Sequence, residues 1–199
     1  MARLAARYEA AGSRLPGLVF FTDDERVPDP LPSIRALPRG SMVVLRERRG
    51  TRRRALASAV SRIARERELV WLVADDPPLA ATMRADGVHF SEAKVARAAH
   101  WRRLRPHWLI TCSAHSAAAC ARASRMGIEA IFLAPVFATH SHPDRTFLGP
   151  QRARMIARQV AVPIYALGGI DAQTAKRLEG APFAGLAAIG ALAVERGQG

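Results

Sequence analysis

The sequence predicts an α/β fold, a compact (β/α)8 TIM barrel, on three observations. Short apolar runs alternate with Ala- and Arg-rich segments of helical period, which is typical of repeated βα units around a parallel sheet. Eight of these runs have strand length. Hydrophobic residues make up 49% of the 199 residues and charged residues 24%, enough apolar material for one packed core. We therefore expect one domain over residues 1–199, with the barrel core over about 17–192.

The expected strands are rich in aliphatic and aromatic residues and are bounded by polar residues, Gly or Pro. In chain order they are Leu-Val-Phe-Phe within 17–22, Met-Val-Val-Leu within 42–46, Leu-Val-Trp-Leu-Val-Ala at 69–74, Gly-Val-His-Phe at 87–90, Trp-Leu-Ile-Thr-Cys at 108–112, Ala-Ile-Phe-Leu at 130–133, Pro-Ile-Tyr-Ala-Leu at 163–167 and Gly-Leu-Ala-Ala-Ile at 185–189. The segments between them predict helices near 51–67, 77–84, 91–103, 116–126, 150–160 and 171–179, with a poorer, Pro-flanked helix near 31–37.

An open, doubly wound sheet is the alternative, and it predicts a glycine-rich phosphate turn after the first strand. That strand ends here in Thr-Asp-Asp-Glu at 22–25. Glycines instead follow the seventh strand, as Gly168 and Gly169, and the eighth, in Ile189-Gly190. Barrels bind phosphate at these two strand ends, so the position favours a phosphate site over a simple tight turn.

Polar side chains follow most of the expected strands, and in a barrel they converge on one mouth. They are Asp23, Arg46, Arg48, Asp75, Asp76, His89, Ser113, His115, the loop 135–142 and Gly168-Gly169. Cations, carboxylates and hydroxyls together suit a phosphorylated substrate, with a divalent metal bridging carboxylate and phosphate.

The chain carries a formal net charge of +13, and six arginines fall within residues 46–54. Guanidinium groups there could bind a phosphate or pyrophosphate. A solvated basic face is the favoured interpretation for Arg52 to Arg54, but not for Arg46 and Arg48. A nucleic-acid surface is not expected, because interleaved aromatic residues and a recognisable binding motif are missing from the sequence.

Several candidate residues also have ordinary structural interpretations. An Asp pair before Pro-Pro commonly caps a helix, which suits Asp76 and leaves Asp75 open as a Mg²⁺ ligand. His89 lies in a short apolar run, where a core histidine is the commoner case. Ser113 and His115 are two residues apart, but no acidic partner or nucleophile elbow accompanies them, so a serine hydrolase is not indicated.

Composition also sets the expected compartment. The two cysteines, Cys112 and Cys120, are too few for a disulfide framework and too far apart for a CxxC pattern. No run of eighteen apolar residues occurs, and arginines interrupt the first residues before a signal peptide could form. We therefore expect a soluble, cytoplasmic protein with no membrane partner.

Five motifs give the chain a resemblance to a known family. They are Met-Val-Val-Leu-Arg-Glu-Arg at 42–48, Ala-Asp-Gly-Val-His-Phe at 85–90, Cys-Ser-Ala-His-Ser at 112–116, Ala-Pro-Val-Phe-Ala-Thr at 134–139 and Ala-Leu-Gly-Gly-Ile at 166–170. In this order they resemble the thiamine phosphate synthase superfamily, which includes the TenI-like thiazole tautomerases. The resemblance implies a (β/α)8 barrel that acts on thiazole phosphate in thiamine biosynthesis.

The resemblance also implies roles for individual residues. Synthases join an aminopyrimidine methyl pyrophosphate to thiazole phosphate with Mg²⁺ and release pyrophosphate. By position, the pyrophosphate would contact Arg46, Arg48, Ser113 and Thr139. Asp75 would bind the metal, and the backbone at Gly168-Gly169 and Ile189-Gly190 would hold the thiazole phosphate.

The departures from the family pattern fall on the chemistry. Ala74 replaces the asparagine that holds the pyrimidine, Lys94 replaces the second Mg²⁺ carboxylate, and His142 replaces a lysine. Mg²⁺ is therefore expected only at a weakened site, with no other cofactor. Because the phosphate cradle is kept, a TenI-like thiazole tautomerase is the favoured function. Synthase is the alternative, and a non-catalytic thiazole-phosphate binding protein is a third.

A tautomerase needs a general acid or base, which suits histidine. The resemblance places the tautomerase histidine where this chain has Ala134. His89, His115 and His142 are the candidate catalytic substitutes. The expected partner is a small phosphorylated thiazole.

Overall fold

The computed structural model of the chain describes residues 15–47, 50–139 and 146–194. Eight parallel strands close into a barrel in chain order, and the eighth pairs with the first. They are β1 (Leu18–Phe21), β2 (Met42–Leu45), β3 (Val70–Ala74), β4 (Gly87–Phe90), β5 (Leu109–Ala114), β6 (Ala130–Leu133), β7 (Ile164–Leu167) and β8 (Gly185–Ala188). The predicted (β/α)8 barrel is confirmed, and the closed ring excludes the open doubly wound sheet.

Helices connect the strands on the outside of the ring. In the described residues they are α1 (Leu31–Ala36), α2 (Gly50–Arg67), α3 (Pro77–Thr82), α4 (Ala98–Leu104), α5 (Ala117–Ala123), α6 (Pro150–Gln159) and α7 (Ala172–Lys176), with 3₁₀ segments at Glu92–Arg97 and Gly190–Leu192. Over the same residues, none of the helices is long and apolar enough to cross a membrane.

The strands are buried on both faces, which explains their unbroken apolar sequences. Alternate residues point into the barrel and form one cluster, exemplified by Phe21, Phe132 and Tyr165. The residues between them point outwards and pack against the helices as a second, larger cluster. By this alternation His89 and Ser113 belong to the inward-facing set, because residues two apart on a strand share a face.

Side-chain caps start several helices where the chain leaves the barrel mouth. Asp76 accepts a hydrogen bond from the Leu79 N–H at 3.0 Å and caps α3, as the sequence interpretation of Asp76 held. Ser116 caps α5 in the same way, and Asp171 forms a capping box with Thr174 at α7. These caps fix the directions in which the strand-end loops leave the mouth.

Two elements differ from their predicted form. The helix expected near 91–103 divides into the 3₁₀ segment Glu92–Arg97 and α4, and Ser91 at its start is hydrogen-bonded to the Asp75 carboxylate. This contact ties the segment to the end of β3, and its first turns are tighter than an α-helix. Strand β5 extends to Ala114, two residues past its predicted end, and therefore includes Ser113.

Candidate active site

A pocket of about 570 Å³ opens at the carboxyl ends of the strands. Its described lining residues come from β1 to β8 and the loops that follow them; they are Phe21, Asp23, Glu25, Arg26, Arg46, Glu47, Arg53, Ala74, Asp75, His89, Ser91, Glu92, Lys94, Ser113, His115, Ala134, Pro135, Thr139, Leu167, Gly168 and Ile189. A site at this end is the usual arrangement in barrels of this kind. The structure therefore brings most of the sequence-predicted site residues together at one mouth.

Arg46, at the end of β2, is held by contacts with the end of β1. Its guanidinium forms an ion pair and hydrogen bond with the Asp23 carboxylate, and its backbone N–H donates to the Thr22 hydroxyl at 2.8 Å. Burial alone would raise the pKa of Asp23, but the hydrogen bond from the Arg26 N–H and the Arg46 guanidinium together lower it. Asp23 is therefore an anion that holds Arg46 in place beside the pocket.

Arg53 is a mouth residue that the sequence analysis assigned to a solvated face. It extends from the first turns of α2 and donates to two carbonyls at the ends of strands, those of Glu47, at 2.8 Å, and Ala74. Its guanidinium also lies near the Asp76 carboxylate, with Nε 3.6 Å from Oδ2. The interpretation of Arg53 as a solvated residue is thus wrong. The sequence could not distinguish Arg53 from its neighbours, because it lies in a run of three arginines, of which Arg54 is exposed.

Asp75 carries the proposed metal-ligand role, and its surroundings do not fit a divalent cation. Its Oδ1 accepts hydrogen bonds from the Ser91 N–H at 2.8 Å and the Ser91 hydroxyl at 3.2 Å, and its Oδ2 lies 3.4 Å from the Lys94 ammonium. Mg²⁺ needs several oxygen ligands, and the Lys94 ammonium beside Asp75 repels a divalent cation at this carboxylate. In the part of the chain that the structure describes, no cluster of three His, Cys, Asp or Glu could hold a metal.

His89 lies beneath the pocket with both ring nitrogens in hydrogen bonds. Nδ1 is 2.9 Å from the Thr111 hydroxyl, and Nε2 is 2.9 Å from the Ser113 hydroxyl. The ring also contacts the edges or faces of Phe21 and Phe132 at centroid distances of 5.1 and 5.3 Å. Burial lowers the pKa of His89 to about 3, against a smaller opposing effect of Asp75. A neutral, fully bonded ring favours the core-histidine interpretation over a catalytic His89.

His115 follows β5 and presents a different environment. Its Nδ1 lies 2.7 Å from the Ala134 carbonyl oxygen, and its backbone N–H donates to Glu92 at 2.9 Å. Because a carbonyl can only accept, Nδ1 must carry a proton. A neutral ring therefore has an unprotonated Nε2, and the exposed side chain lines the pocket. Of the described histidines predicted to be catalytic, His115 has the geometry of a base.

Gly168 and Gly169 form a sharp turn after β7, with φ angles of +89° and +65°. A Cβ at Gly169 would lie 2.4 Å from the Ala138 carbonyl oxygen, so the turn packs directly against the loop after β6. Both glycines are thus needed for the tight turn itself. Among the hydrogen bonds of residues 15–47, 50–139 and 146–194, none is donated by the N–H of Gly169 or Gly190. Gly168 and Ile189 line the pocket, and Gly169 and Gly190 follow them directly, beyond the paired ends of β7 and β8. A phosphate at this side of the pocket could accept from their N–H groups.

Two more predicted site residues lie at the described mouth, and two fall in segments that the structure does not describe. Ser113 and Thr139 line the pocket, from β5 and from the loop after β6. Arg48 and His142 fall in the segments 48–49 and 140–145, outside the described residues.

The mouth is less basic than the net charge of the chain suggests. Its described lining holds four cations and five carboxylates: Arg26, Arg46, Arg53, Lys94, and Asp23, Glu25, Glu47, Asp75, Glu92. Asp23 pairs with Arg46, Asp75 with Lys94, and Glu92 with Arg122 outside the pocket lining. Most of the positive charge therefore lies on other surfaces. Removal of any one of the four described cations would change the net charge of the mouth substantially.

Comparison with known proteins identifies the family. The TMP-TENI family, described as thiamine monophosphate synthase, matches residues 18–192, which is the whole barrel. The chain belongs to this family. The match confirms the resemblance drawn from the five motifs and places the TMP-TENI protein described here in thiamine biosynthesis.

Individual relatives agree with this assignment. A thiamine-phosphate synthase of Alcanivorax borkumensis is 29% identical over 90% of this chain and 86% of its own length. A putative thiamine-phosphate synthase 2 of Aquifex aeolicus is 31% identical, but the match spans 58% of this chain and 61% of the relative. The structure of thiamine phosphate pyrophosphorylase from Pyrococcus furiosus superposes with a TM-score of 0.76 at 22% identity, covering 92% and 89% of the two chains. The fold of this TMP-TENI protein is thus that of a solved relative.

Proposed function

We propose that this protein is a thiamine-phosphate synthase, a transferase that joins an aminopyrimidine methyl pyrophosphate to thiazole phosphate. The named relatives are synthases, which favours this function over the tautomerase that the sequence alone favoured. The substrates are two phosphorylated molecules, so the site must bind two anionic groups at once.

The observation that carries the proposal is the distribution of anion-binding groups around the pocket. Arg46, Arg53 and Lys94 line one side of the pocket, where Arg46 pairs with Asp23, Arg53 donates to the Ala74 carbonyl at the end of β3, and Lys94 pairs with Asp75. The backbone N–H groups of Gly169 and Gly190 lie at the ends of β7 and β8. In a closed ring of eight strands, β3 and β7 are four strands apart and face each other across the mouth. Two separate anion sites suit a two-substrate transfer better than an isomerisation of one substrate.

Each of the two sides of the pocket can be given a role in the transfer reaction. The bond between the pyrimidine methylene carbon and its pyrophosphate oxygen breaks, and the electron pair leaves with pyrophosphate. The thiazole nitrogen then supplies the pair for the new carbon–nitrogen bond, and no proton is transferred. Arg46 and Arg53 would stabilise the charge that develops on the leaving oxygen. The neutral His89 and the ring of Phe21 would form a floor that offers the cationic carbon no nucleophile better than the thiazole.

The test is a direct assay of both products. Purified protein is given the aminopyrimidine pyrophosphate and thiazole phosphate, with Mg²⁺ or with EDTA, and pyrophosphate and thiamine phosphate are quantified. We expect equal amounts of the two products. Binding of thiazole phosphate without either product, at high protein concentration, would reject the synthase and leave the tautomerase and the non-catalytic binding protein.

A thiazole tautomerase is the second candidate, on one observation. The His115 ring is hydrogen-bonded to the carbonyl of Ala134, the position at which the resemblance places the tautomerase histidine. An unprotonated Nε2 there could remove the ring proton of the non-aromatic thiazole carboxylate phosphate and return one at another atom. His115 would then be the general base, while the cradle at Gly169 and Gly190 holds the phosphate.

Replacing His115 by asparagine tests this candidate. We expect isomerisation of the thiazole carboxylate phosphate to slow about 100-fold if His115 is the base, as is typical of a lost acid–base group. The matched control is His107→Asn, because His107 is exposed and precedes β5, at the other end of the barrel. Equal rates in both variants and the wild type would remove His115 from the chemistry.

A further inference from the structure

Lys94 lies in the part of the mouth where the family resemblance implies a metal site. Packing of the barrel does not account for a lysine at this position. Its ammonium lies 3.4 Å from Asp75 Oδ2, and its side chain is 49% exposed at the pocket rim. A charge-assisted hydrogen bond is normally 2.7–2.9 Å long, so this is a loose ion pair. A half-exposed ammonium with unused donors can bind a second anion in addition to Asp75.

We infer that Lys94 takes the place of the metal ion and forms, with Arg46 and Arg53, a metal-independent pyrophosphate subsite. The identity of the anion rests on the proposed function. Asp75 is then a positioning residue for Lys94 rather than a metal ligand. An ammonium is a single charge where Mg²⁺ has two, and the two guanidinium groups at the neighbouring strand ends supply the remaining positive charge.

Three features of the structure support this subsite. Asp75 is itself held by two hydrogen bonds from Ser91, so its Oδ2 has a fixed position from which to orient Lys94. Arg46 is fixed by Asp23, and Arg53 is fixed by the Glu47 and Ala74 carbonyls. The two guanidinium groups are therefore held in place before any ligand binds, and Asp75 orients Lys94 through a looser ion pair. This preorganisation lowers the entropy cost of binding. Each of the three side chains also has more N–H donors than the contacts named above use.

The first experiment measures binding of inorganic pyrophosphate to the full chain by calorimetry, in EDTA and in Mg²⁺. We expect binding in EDTA, and we expect Lys94→Ala to weaken it about tenfold, since one charged contact is lost. The chain has only two lysines, so Lys176→Ala is a natural control. Lys176 is exposed at the end of α7. Binding that needs Mg²⁺ in the wild type, or is equal in Lys94→Ala, overturns the inference.

A second measurement remains informative if Lys94→Ala fails to fold. Both lysines of the wild-type protein are acetylated with an amine-reactive ester in EDTA, and mass spectrometry follows each site. We expect pyrophosphate to slow acetylation of Lys94 at least fivefold and to leave Lys176 unchanged. Equal effects at both lysines, or none at Lys94, contradict the inference.

Lys94→Asp provides the opposite test. It places a second carboxylate beside Asp75, which should convert the subsite into a metal-dependent one. We expect pyrophosphate binding by this variant to be lost in EDTA and regained in Mg²⁺, and unchanged Mg²⁺ independence would count against the role of Lys94.

The outcomes separate this inference from the proposed function. Pyrophosphate binding in EDTA without any thiamine phosphate formation would uphold the subsite and reject the synthase. Thiamine phosphate formation that stops in EDTA would uphold the synthase and reject the subsite.

Discussion

Replacement of Arg46 by alanine is expected to lower kcat/KM for thiamine phosphate formation about 100-fold, as for loss of one preorganised donor at a developing anion. Arg46 is the best-positioned cation of the mouth, because Asp23 fixes its guanidinium and Thr22 fixes its backbone. Steady-state kinetics with both substrates would measure the effect. The control is Arg54→Ala, which removes an exposed arginine from the neighbouring helix.

The same substitution should also lower the free energy of unfolding, and this must be separated from catalysis. Truncation of one partner of a buried pair costs about 2 kcal/mol or more, and the low end applies because the Arg46 side chain is 36% exposed. Asp23→Asn combined with Arg46→Ala removes the unpaired carboxylate. We expect this double variant to regain stability in urea denaturation while remaining slow. If activity returned with stability, Arg46 would be structural only.

His89 is expected to make the protein unstable in mild acid. Burial lowers the pKa of His89 to about 3 in the folded barrel, whereas the ordinary pKa of a histidine, expected in the unfolded chain, is 6.5. Between these values the unfolded chain binds one more proton than the folded chain, so stability falls as pH falls. From pH 7 to pH 5 the contribution of His89 to the free energy of unfolding should drop by about 2 kcal/mol.

Urea denaturation at pH 7, 6 and 5 measures this effect. His89→Asn removes the titrating group, and its amide can still bond to the Thr111 or Ser113 hydroxyl. The pH dependence of this variant should be flatter than that of the wild type by the amount given above, while His107→Asn should keep the wild-type slope. Parallel curves for wild type and His89→Asn would show that burial of His89 does not control acid stability.

The barrel could be predicted from sequence because its signal is local and repeated. A strand buried on both faces needs an unbroken apolar run, as in Ile-Phe-Leu at 131–133, and each run recurs after one helix. The ends of the helices and strands were harder to predict from the sequence. The 3₁₀ segment Glu92–Arg97 depends on a contact between Ser91 and Asp75, which are 16 residues apart. No local pattern records a contact of that kind.

The candidate site was predicted in position more than in detail. Residues at strand ends converge at the mouth of any barrel. The positions of Arg46, Ser113 and Gly168 could therefore be predicted from their spacing in the sequence alone. The role of Arg53 could not be predicted in this way, because its direction is set by the Glu47 carbonyl after β2 and the Ala74 carbonyl at the end of β3. The ion pair between Lys94 and Asp75 could not be predicted either. The family resemblance implies the loss of a carboxylate at position 94, but not the direction of the ammonium that replaces it.

The pairing of β8 with β1 has a consequence for the integrity of the chain. Closure leaves none of the eight strands among the described residues with a free edge. The Tyr165 hydroxyl adds a link between β7 and the start of β1 by donating to the Pro16 carbonyl at 2.7 Å. Without β8, both β1 and β7 would expose unpaired backbone groups that invite association between molecules. Ile189 and Gly190 follow β8 directly. Loss of the segment that closes the barrel would therefore also remove Ile189 and Gly190, which form half of the proposed phosphate site.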